Sequence, residues 1–527
     1  MKQPAKSLGP LVEGGSLWRL IEARADATPD TSLAVDQLGR EISFAEYRDR
    51  AERTARGLAA FGLEPGQRVA WMLPTSMESL VLAGALSRLG VVQNPILPIY
   101  RARELSFMVK QSRPTLLITP REWQGFDYAS MANQIAEPLD HLRTLVVDPT
   151  LLESEKGELP EIEVSAAPAE PYPIRWLFYT SGTTAEPKGV QHLDATLLLA
   201  AKGMSEALAL RESDRVAFVF PVTHVGGIVW LMAALACGSR LILIEHFAAH
   251  NTIPALQKAG VTLAAAGTIF HESYLAAARR MADPPLFPKV RAFPGGGASK
   301  PAQLHHDLKK EFGGVGILSG YGSTEAPILT MGRVEDPSGK LAGTEGRPAL
   351  PGINIRVIRD DGSLAKAGED GEFRVRAPQL FRGYLDASLD REAFDADGYF
   401  RTGDRGHLDQ DGHLVVTGRL KDIIIRKGEN IPAKEVEDLL RRHPKIVDVA
   451  VIGLPDSKTG ERCCAVVTCD ETKEPISFQE MKSFLHEQQL LIQRFPEQLE
   501  VIEALPRNAT GKVLKQELRD RFRRSGR

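Results

Sequence analysis

The sequence predicts an α/β protein: parallel sheet covered by helices, then a β-rich subdomain, then a final α/β segment. Three observations predict it. From Ser16 to about Pro120, helical patterns alternate with short apolar runs of strand length, the rhythm of βα units. From Gly343 to about His413 the texture changes to short strand-like runs separated by Gly-Asp and Asp-Gly turns. After about Lys421 helices and strands alternate again. A chain of 527 residues also exceeds one ordinary core and predicts at least two domains.

Taken in order, LWRLIEARADATPD reads as an amphipathic helix, and EISFAEYRDRAERTARGLAAFG as a short strand followed by a second helix. Pro65-Gly66 marks a turn before the strand RVAWML, and MESLVLAGALSRLG is helical up to Gly90. Glu153 to Pro173, acidic and proline-bearing, reads as a surface connection. RVAFVF, RLILI and VTLAAAG read as strands, with IVWLMAALACG and PALQKAG as helices between them. INIRVIRD, GEFRVRA and GHLVVTG are strands of the β subdomain. KEVEDLLRRHP and SFQEMKSFLHEQQ are helices of the last segment, and DVAVIGLP and RCCAVVTCD its strands.

A net charge of −3 gives no reason to expect nucleic acid or an anionic membrane as partner. Cys237, Cys463, Cys464 and Cys469 lack zinc-ligand spacing, and the last three share a strand-like run, which fits a reducing cytoplasm. The first residues carry no continuous apolar core of a secretory signal. Val216 to Gly238 has no charged residue and is long enough to span a bilayer. Pro221, His224 and Gly226-Gly227 interrupt it, so it reads as a buried strand, a turn and a buried helix.

The chemistry centres on Ile174 to Val190, IRWLFYTSGTTAEPKGV. A buried strand breaks into Thr180, Ser181, Gly182, Thr183 and Thr184, followed by Pro187, Lys188 and Gly189. Hydroxyls and glycine-freed N–H groups can wrap a polyphosphate, and the lysine adds a compact positive charge. No Gly-Lys-Ser/Thr follows, so this is not the usual P-loop. GYGSTEAP supplies an aromatic ring, a hydroxyl and an acid within five residues, and FPGGGASK a glycine-rich edge. In YFRTGDRGHLDQDGHL, Asp404 stands between a glycine-bearing turn and the next strand, and Asp409 and Asp411 read as turn residues.

YTSGTTAEPKGV resembles the phosphate-binding signature of the adenylate-forming superfamily, which includes acyl-CoA synthetases, aryl-CoA ligases, peptide-synthetase adenylation domains and luciferases. Further similar segments follow in order as far as Lys512, so the resemblance covers nearly the whole chain. It implies a large N-terminal domain over 1–420, built of stacked mixed sheets with flanking helices and holding a β-rich subdomain at 343–415. It also implies a small, mobile α+β C-terminal domain over 421–527, with its hinge near Lys421. Thr180 to Thr184 and Lys188 would hold the phosphates, and Gly296, Gly297 and Ala298 would edge the adenine. Tyr321 would stack near adenine, with Gly322, Ser323 and Thr324 completing the nucleotide loop. Glu325 would help hold Mg2+, Asp404 would accept both ribose hydroxyls, and Arg419 would lie near the nucleotide. Lys512 would bridge carboxylate and α-phosphate. His224, in PVTHVGG, would sit beside the carboxylate, with Gly226, Gly227, Trp230, Phe270 and Gly320 as walls of the acyl pocket. Gly320 should leave room there. The turn Arg426-Lys427-Gly428-Glu429 would face coenzyme A, and many relatives have a second glycine where Lys427 stands.

The resemblance therefore implies an AMP-forming carboxylate–CoA ligase using ATP, Mg2+ and CoA. Its closest likeness is to bacterial ligases for alicyclic, aromatic or medium-chain acids. Delivery of the acyl group to a carrier protein, or luciferase-like oxygen chemistry, is the alternative. A non-catalytic nucleotide- or acyl-binding homologue is a third, against which the joint presence of Lys188, Glu325, Asp404, Arg419 and Lys512 argues. The expected partners are a small carboxylic acid, ATP and CoA, with a homodimer left open.

Overall fold

The computed structural model describes residues 15–147, 153, 173–180, 187–281, 285–297, 300–426, 429–456, 458–508 and 511–523. By compactness the chain forms two units. Among the described residues the first holds three sheets of four or more strands, besides a two-stranded ribbon of Glu122–Trp123 and Phe126–Asp127. In the six-stranded sheet the order is Gly189–His192, Trp176–Tyr179, Val92–Pro95, Arg68–Trp71, Leu116–Pro120 and Arg143–Val147. All neighbours are parallel except the first pair, an antiparallel hairpin whose connection carries the threonine-rich loop. A second sheet runs Arg215–Phe218, Arg240–Leu243, Ser32–Asp36 and Glu41–Ser43. A third runs Phe293–Gly296, Ile317–Tyr321, Thr330–Met331 and Arg347–Pro348.

Local chemistry sets these elements in place. Helix Met77–Arg88 starts with a reciprocal capping box between Ser76 and Ser79 and buries most of its length. Trp176 donates its indole N–H to buried Asp194 at 2.6 Å, and Asp194 also accepts from the Leu17 amide, tying the first helix to the strand that leads into the phosphate loop. The uncharged stretch from Val216 divides as expected. It forms strand Arg215–Phe218 and helix Val225–Cys237, which Gly238 ends in a left-handed conformation. Among the described residues no helix is long and apolar enough to cross a membrane. One expected strand is not formed. VTLAAAG contributes only Leu263, bridging Val216 on one side and Ala292 on the other, because Gly267 at φ +100° turns the chain into helix Thr268–Ala278.

The second unit comprises residues 355–375 and 393–527. The sheet Asn354–Ile358, Gly371–Arg376, Phe400–Leu408 and Leu414–Arg419 is therefore grouped by compactness with the C-terminal residues. A five-stranded sheet follows, centred on Ile446–Asp456 and Gly460–Cys469. Its strands are buried on both faces. Val451, Cys463, Ala465 and Val467 pack with helices Ala433–Leu440 and Phe478–Glu487, while Ile452, Cys464 and Val466 pack with Leu518 and Phe522. The period of two thus sends Cys463 and Cys464 to opposite cores, and burial pushes both thiols up, Cys464 to about 12. Asp409 is the turn residue expected, its carboxylate accepting from the Asp411 and His413 amides.

Burial also pulls three interior histidines, His192, His271 and His305, down to about 4. The folded state then binds fewer protons than the unfolded chain between pH 6.5 and 4. Stability is therefore lost as pH falls through that window, by up to about 3 kcal/mol for each fully buried ring. Calorimetric melting from pH 7.5 to 4 should show Tm declining below 6.5; a flat Tm across this range contradicts the assignment.

Candidate active site

Within the first unit, the phosphate loop springs from a pinned base. Thr180 N–H donates to Lys188 C=O at 3.0 Å, directly beside the Tyr179–Gly189 pair. Ser181, Gly182, Thr183 and Thr184 lie outside the described residues, as does Ala298. Lys188 itself is placed, with its ammonium 5.0 Å from the centre of the Tyr384 ring.

The GYGSTEAP segment leaves strand Ile317–Tyr321 and is tied at each step. Ser323 exchanges bonds with Ala326, N–H to carbonyl at 3.1 Å and the returning amide to Oγ at 3.2 Å. The Thr324 carbonyl lies 2.8 Å from Nε2 of His192. A carbonyl only accepts, so Nε2 carries the proton and Nδ1 meets Thr196 Oγ1 at 2.9 Å. The Glu325 carbonyl accepts from Phe381 N–H at 2.8 Å, and its carboxylate Oε1 from the Tyr384 hydroxyl at 2.9 Å. Thr324 and Glu325 are thereby fixed before any ligand arrives. His192 and Tyr384 were not read from the sequence as functional residues. The signals were there: a histidine two residues after Pro-Lys-Gly-Val, and an aromatic within Arg-Gly-Tyr.

His224 caps helix Val225–Cys237, its Nδ1 accepting from Gly226 N–H at 3.1 Å. Burial lowers this ring to about 4, so at neutral pH it is uncharged with the proton on Nε2. It lines a narrow cleft with Thr223 and Thr324, between Pro95–Leu97 and Tyr100 on one side and Tyr179 on the other, with room for about one water molecule. Two hydroxyls on this cleft, Tyr100 Oη and Thr223 Oγ1, are buried without a hydrogen-bond partner among the described residues. None of the other expected acyl-wall residues lines it. A side chain on Gly227 would meet the Pro221–Val222 backbone at 2.6 Å, so this glycine serves helix-to-loop packing. One on Gly320 would meet the Thr330 carbonyl at 3.0 Å, so this glycine admits the neighbouring strand. Trp230 and Phe270 are each 6% exposed, Phe270 against Phe247 with ring centres 4.9 Å apart.

Within the second unit, Asp404 lies inside strand Phe400–Leu408, which pairs with Gly371–Arg376 at Phe400 and Arg401 and with Leu414–Arg419 from Asp404 onward. That register puts Arg419 opposite, its Nε 2.8 Å from Asp404 Oδ1. Lys512 is presented by a short loop closed by Asn508, whose Oδ1 accepts from the Lys512 amide at 2.9 Å. Burial, with Arg419 and Lys421 close by, pulls its ammonium down to about 7, against the partial support of Asp404 and Asp422. Lys421 sits in the single turn Leu420–Asp422, and Asp422 pairs with Arg519 at 2.9 Å. Lys427 and Gly428 lie outside the described residues; Glu429 is described only as the start of strand Glu429–Pro432.

The chain is similar to the medium-chain fatty-acid–CoA ligase of Escherichia coli, 29% identical, covering 95% of this chain and 89% of that protein. It is 31% identical to the salicyl-AMP ligase / salicyl-S-ArCP synthetase of Mycobacterium tuberculosis, with the same coverage of 95% and 89%. ATP-bound MatB from Rhodopseudomonas palustris superposes with a TM-score of 0.84 at 28% identity, over 96% of this chain and 99% of that one. The o-succinylbenzoate CoA synthetase (MenE) of Bacillus subtilis, solved with the acyl-adenylate OSB-AMP, gives 0.82 at 28% identity, over 96% and 98%. The fold is thus that of adenylate-forming enzymes with a large N-terminal and a small C-terminal domain. The family model described as AMP-binding enzyme matches residues 21–385, and that described as AMP-binding enzyme C-terminal domain matches 435–512. This chain belongs to the AMP-binding enzyme family.

Proposed function

We propose that the protein is an ATP-dependent, AMP-forming carboxylate–CoA ligase. A carboxylate oxygen attacks the α-phosphorus of ATP and pyrophosphate leaves; the CoA thiolate then attacks the acyl carbon and AMP leaves. The first step needs positive charge, donors and positioning rather than a protein nucleophile. The observation that carries the reading is the convergence of Lys512 on Arg419 and Asp404 in one cluster. A lysine crowded by two cations is costly to keep unless a polyanion completes the site.

In this reading Asp404 takes the ribose hydroxyls, Arg419 and Lys188 the phosphates, and Tyr321 with Gly296 and Gly297 the adenine. Glu325 fits a magnesium ion: one carboxylate oxygen is already taken by Tyr384, and Mg2+ is typically held by one or two carboxylates plus substrate phosphates. When bound, that ion neutralises charge on the polyphosphate. His224, neutral and protonated on Nε2, donates a hydrogen bond to the carboxylate rather than acting as a base. The domain boundary near 420, with Lys421 as pivot, belongs to the same reading. The small domain delivers Lys512 for the first step and the turn at Lys427–Glu429 for the second. A panel of carboxylic acids assayed for CoA-dependent AMP release tests the assignment. AMP release that needs a carrier protein and ignores CoA supports instead the chemistry in the name of the mycobacterial relative.

We assign the two buried cleft hydroxyls, Tyr100 Oη and Thr223 Oγ1, to pairing with amides of the CoA arm once the narrow cleft widens around it. Tyr100→Phe and Thr223→Val should each raise the KM for CoA by about 3- to 10-fold, the worth of one hydrogen bond. The KM for the acid should stay within about twofold in steady-state assays. A rise in the acid's KM alone assigns the cleft to the acyl chain.

A further inference from the structure

Tyr384 belongs to a segment that runs beside strand Gly189–His192. Arg382 N–H donates to Gln191 C=O at 2.8 Å, Gln191 N–H to Gly383 C=O at 3.2 Å, and Leu385 N–H to Gly189 C=O at 2.7 Å. This ladder sets Tyr384 opposite Val190, two residues beyond Lys188. A side chain on Gly189 would meet Leu385 Cβ at 3.1 Å and Leu177 Cδ1 at 3.2 Å, so the glycine after the lysine is what admits the segment. Tyr384 ends up 4% exposed, with its ring 5.0 Å from the Lys188 ammonium and its hydroxyl 2.9 Å from Glu325 Oε1.

We propose that Tyr384 is a positioning residue that keeps Lys188 and Glu325 from pairing with each other and aims each at its own part of a metal–nucleotide complex. The inference rests on the nucleotide and metal roles proposed above for those two residues. An ammonium and a carboxylate held on adjoining loops attract, and a direct ion pair would cancel the charge both need for ligand. The phenol separates them with the right face to each. Its ring meets the cation, and its O–H meets the anion. The neutral phenol is the donor in this pair, its O–H directed at Oε1 at 2.9 Å. One lone-pair direction of the carboxylate is spent there, which leaves Oε2 to face a divalent cation. The Phe381 N–H donates to the Glu325 carbonyl, so side chain and main chain of Glu325 are both held by this one segment. Hydrogen-bond partners behind a metal-binding carboxylate typically change metal affinity by about 10- to 100-fold when removed.

The test uses Tyr384→Phe, which keeps the ring and deletes one oxygen, and Tyr384→Leu, which removes the aromatic face as well. ATP binding to the full chain is measured calorimetrically in chelator and again with Mn2+ as the probe metal. For Tyr384→Phe the gain in ATP affinity produced by Mn2+ should shrink about 10-fold, while metal-free ATP affinity stays within about twofold. Tyr384→Leu should weaken both. The split matters, because a merely structural role would lower the two affinities together. An unchanged Mn2+ effect in Tyr384→Phe overturns the proposal, and so does a Tyr384→Leu protein indistinguishable from it. If the unaltered protein shows no Mn2+-dependent ATP binding at all, the ligase reading itself fails, which is a separate result.

Discussion

Lys512→Ala is expected to lower acid-dependent ATP–pyrophosphate exchange by roughly two to three orders of magnitude, the usual cost of removing one group that stabilises developing charge. Thioester formation from supplied acyl-adenylate should stay within a few-fold, because the proposed second step uses the other face of the small domain. Equal losses in both half-reactions would refute the role. The pH profile carries a further signature. In the free protein the ammonium is held down to about 7 by burial and by Arg419 and Lys421. Its charged, active form is present below that value and is lost as pH rises through it. The kcat/KM for ATP, which reports the free enzyme, should therefore fall above about pH 7. Bound phosphates restore the charge, so the fall in kcat should appear at distinctly higher pH. In Lys512→Arg, where the side chain stays charged, the fall in kcat/KM above neutrality should vanish even if the absolute rate is low.

What the sequence disclosed and what it hid follow from how far apart the partners lie. The phosphate loop could be read because its parts are contiguous. Strand, hydroxyls, lysine and return strand fall within Ile174–Val190, and the pairing of Tyr179 with Gly189 closes the hairpin locally. GYGSTEAP could be read for the same reason. The residues that make these segments rigid were hidden. Tyr384 is 59 residues from Glu325, and His192 is 132 residues from Thr324. No periodicity announces such a contact. The packing at two glycines was hidden too: a side chain at Gly227 or Gly320 would meet the backbone of another segment at 2.6 or 3.0 Å. Asp404 was expected between a turn at Gly403 and the next strand; the strand starts earlier because Phe400 and Arg401 pair with Val375 and Arg374, and Gly403 at φ +68° lets it continue to Asp404. The grouping of strands 354–419 with the C-terminal residues depends on contacts between distant segments, which composition does not encode.

Asp404→Ala should be the most damaging change in the second unit, and it should act on two measurable quantities at once. Asp404 is 5% exposed, its carboxylate is salt-bridged to Arg419 at 2.8 Å, and its backbone N–H donates to Thr402 Oγ1 at 3.0 Å. Removing it leaves Arg419, Lys421 and Lys512 together, with Asp422 committed to Arg519 and held below the usual carboxylate range, in spite of burial, by Lys515 and Arg519. Asp404 is buried but the Arg419 side chain is one third exposed, so breaking the pair from one side costs less than the roughly 3–5 kcal/mol of a fully buried one. The melting temperature should drop by several degrees, and the KM for ATP should rise at least about 100-fold, as both ribose hydrogen bonds to a charged acceptor are lost. Asp404→Asn separates the two effects. The amide fills the same volume but cannot neutralise the cations, so stability should fall nearly as far while part of the ribose contact survives. Arg419→Met in the Asp404→Ala background relieves the uncompensated charge and should recover melting temperature without recovering ATP affinity. If nucleotide affinity returns together with stability, Asp404 acts through the packing of the cluster alone and does not contact the ribose.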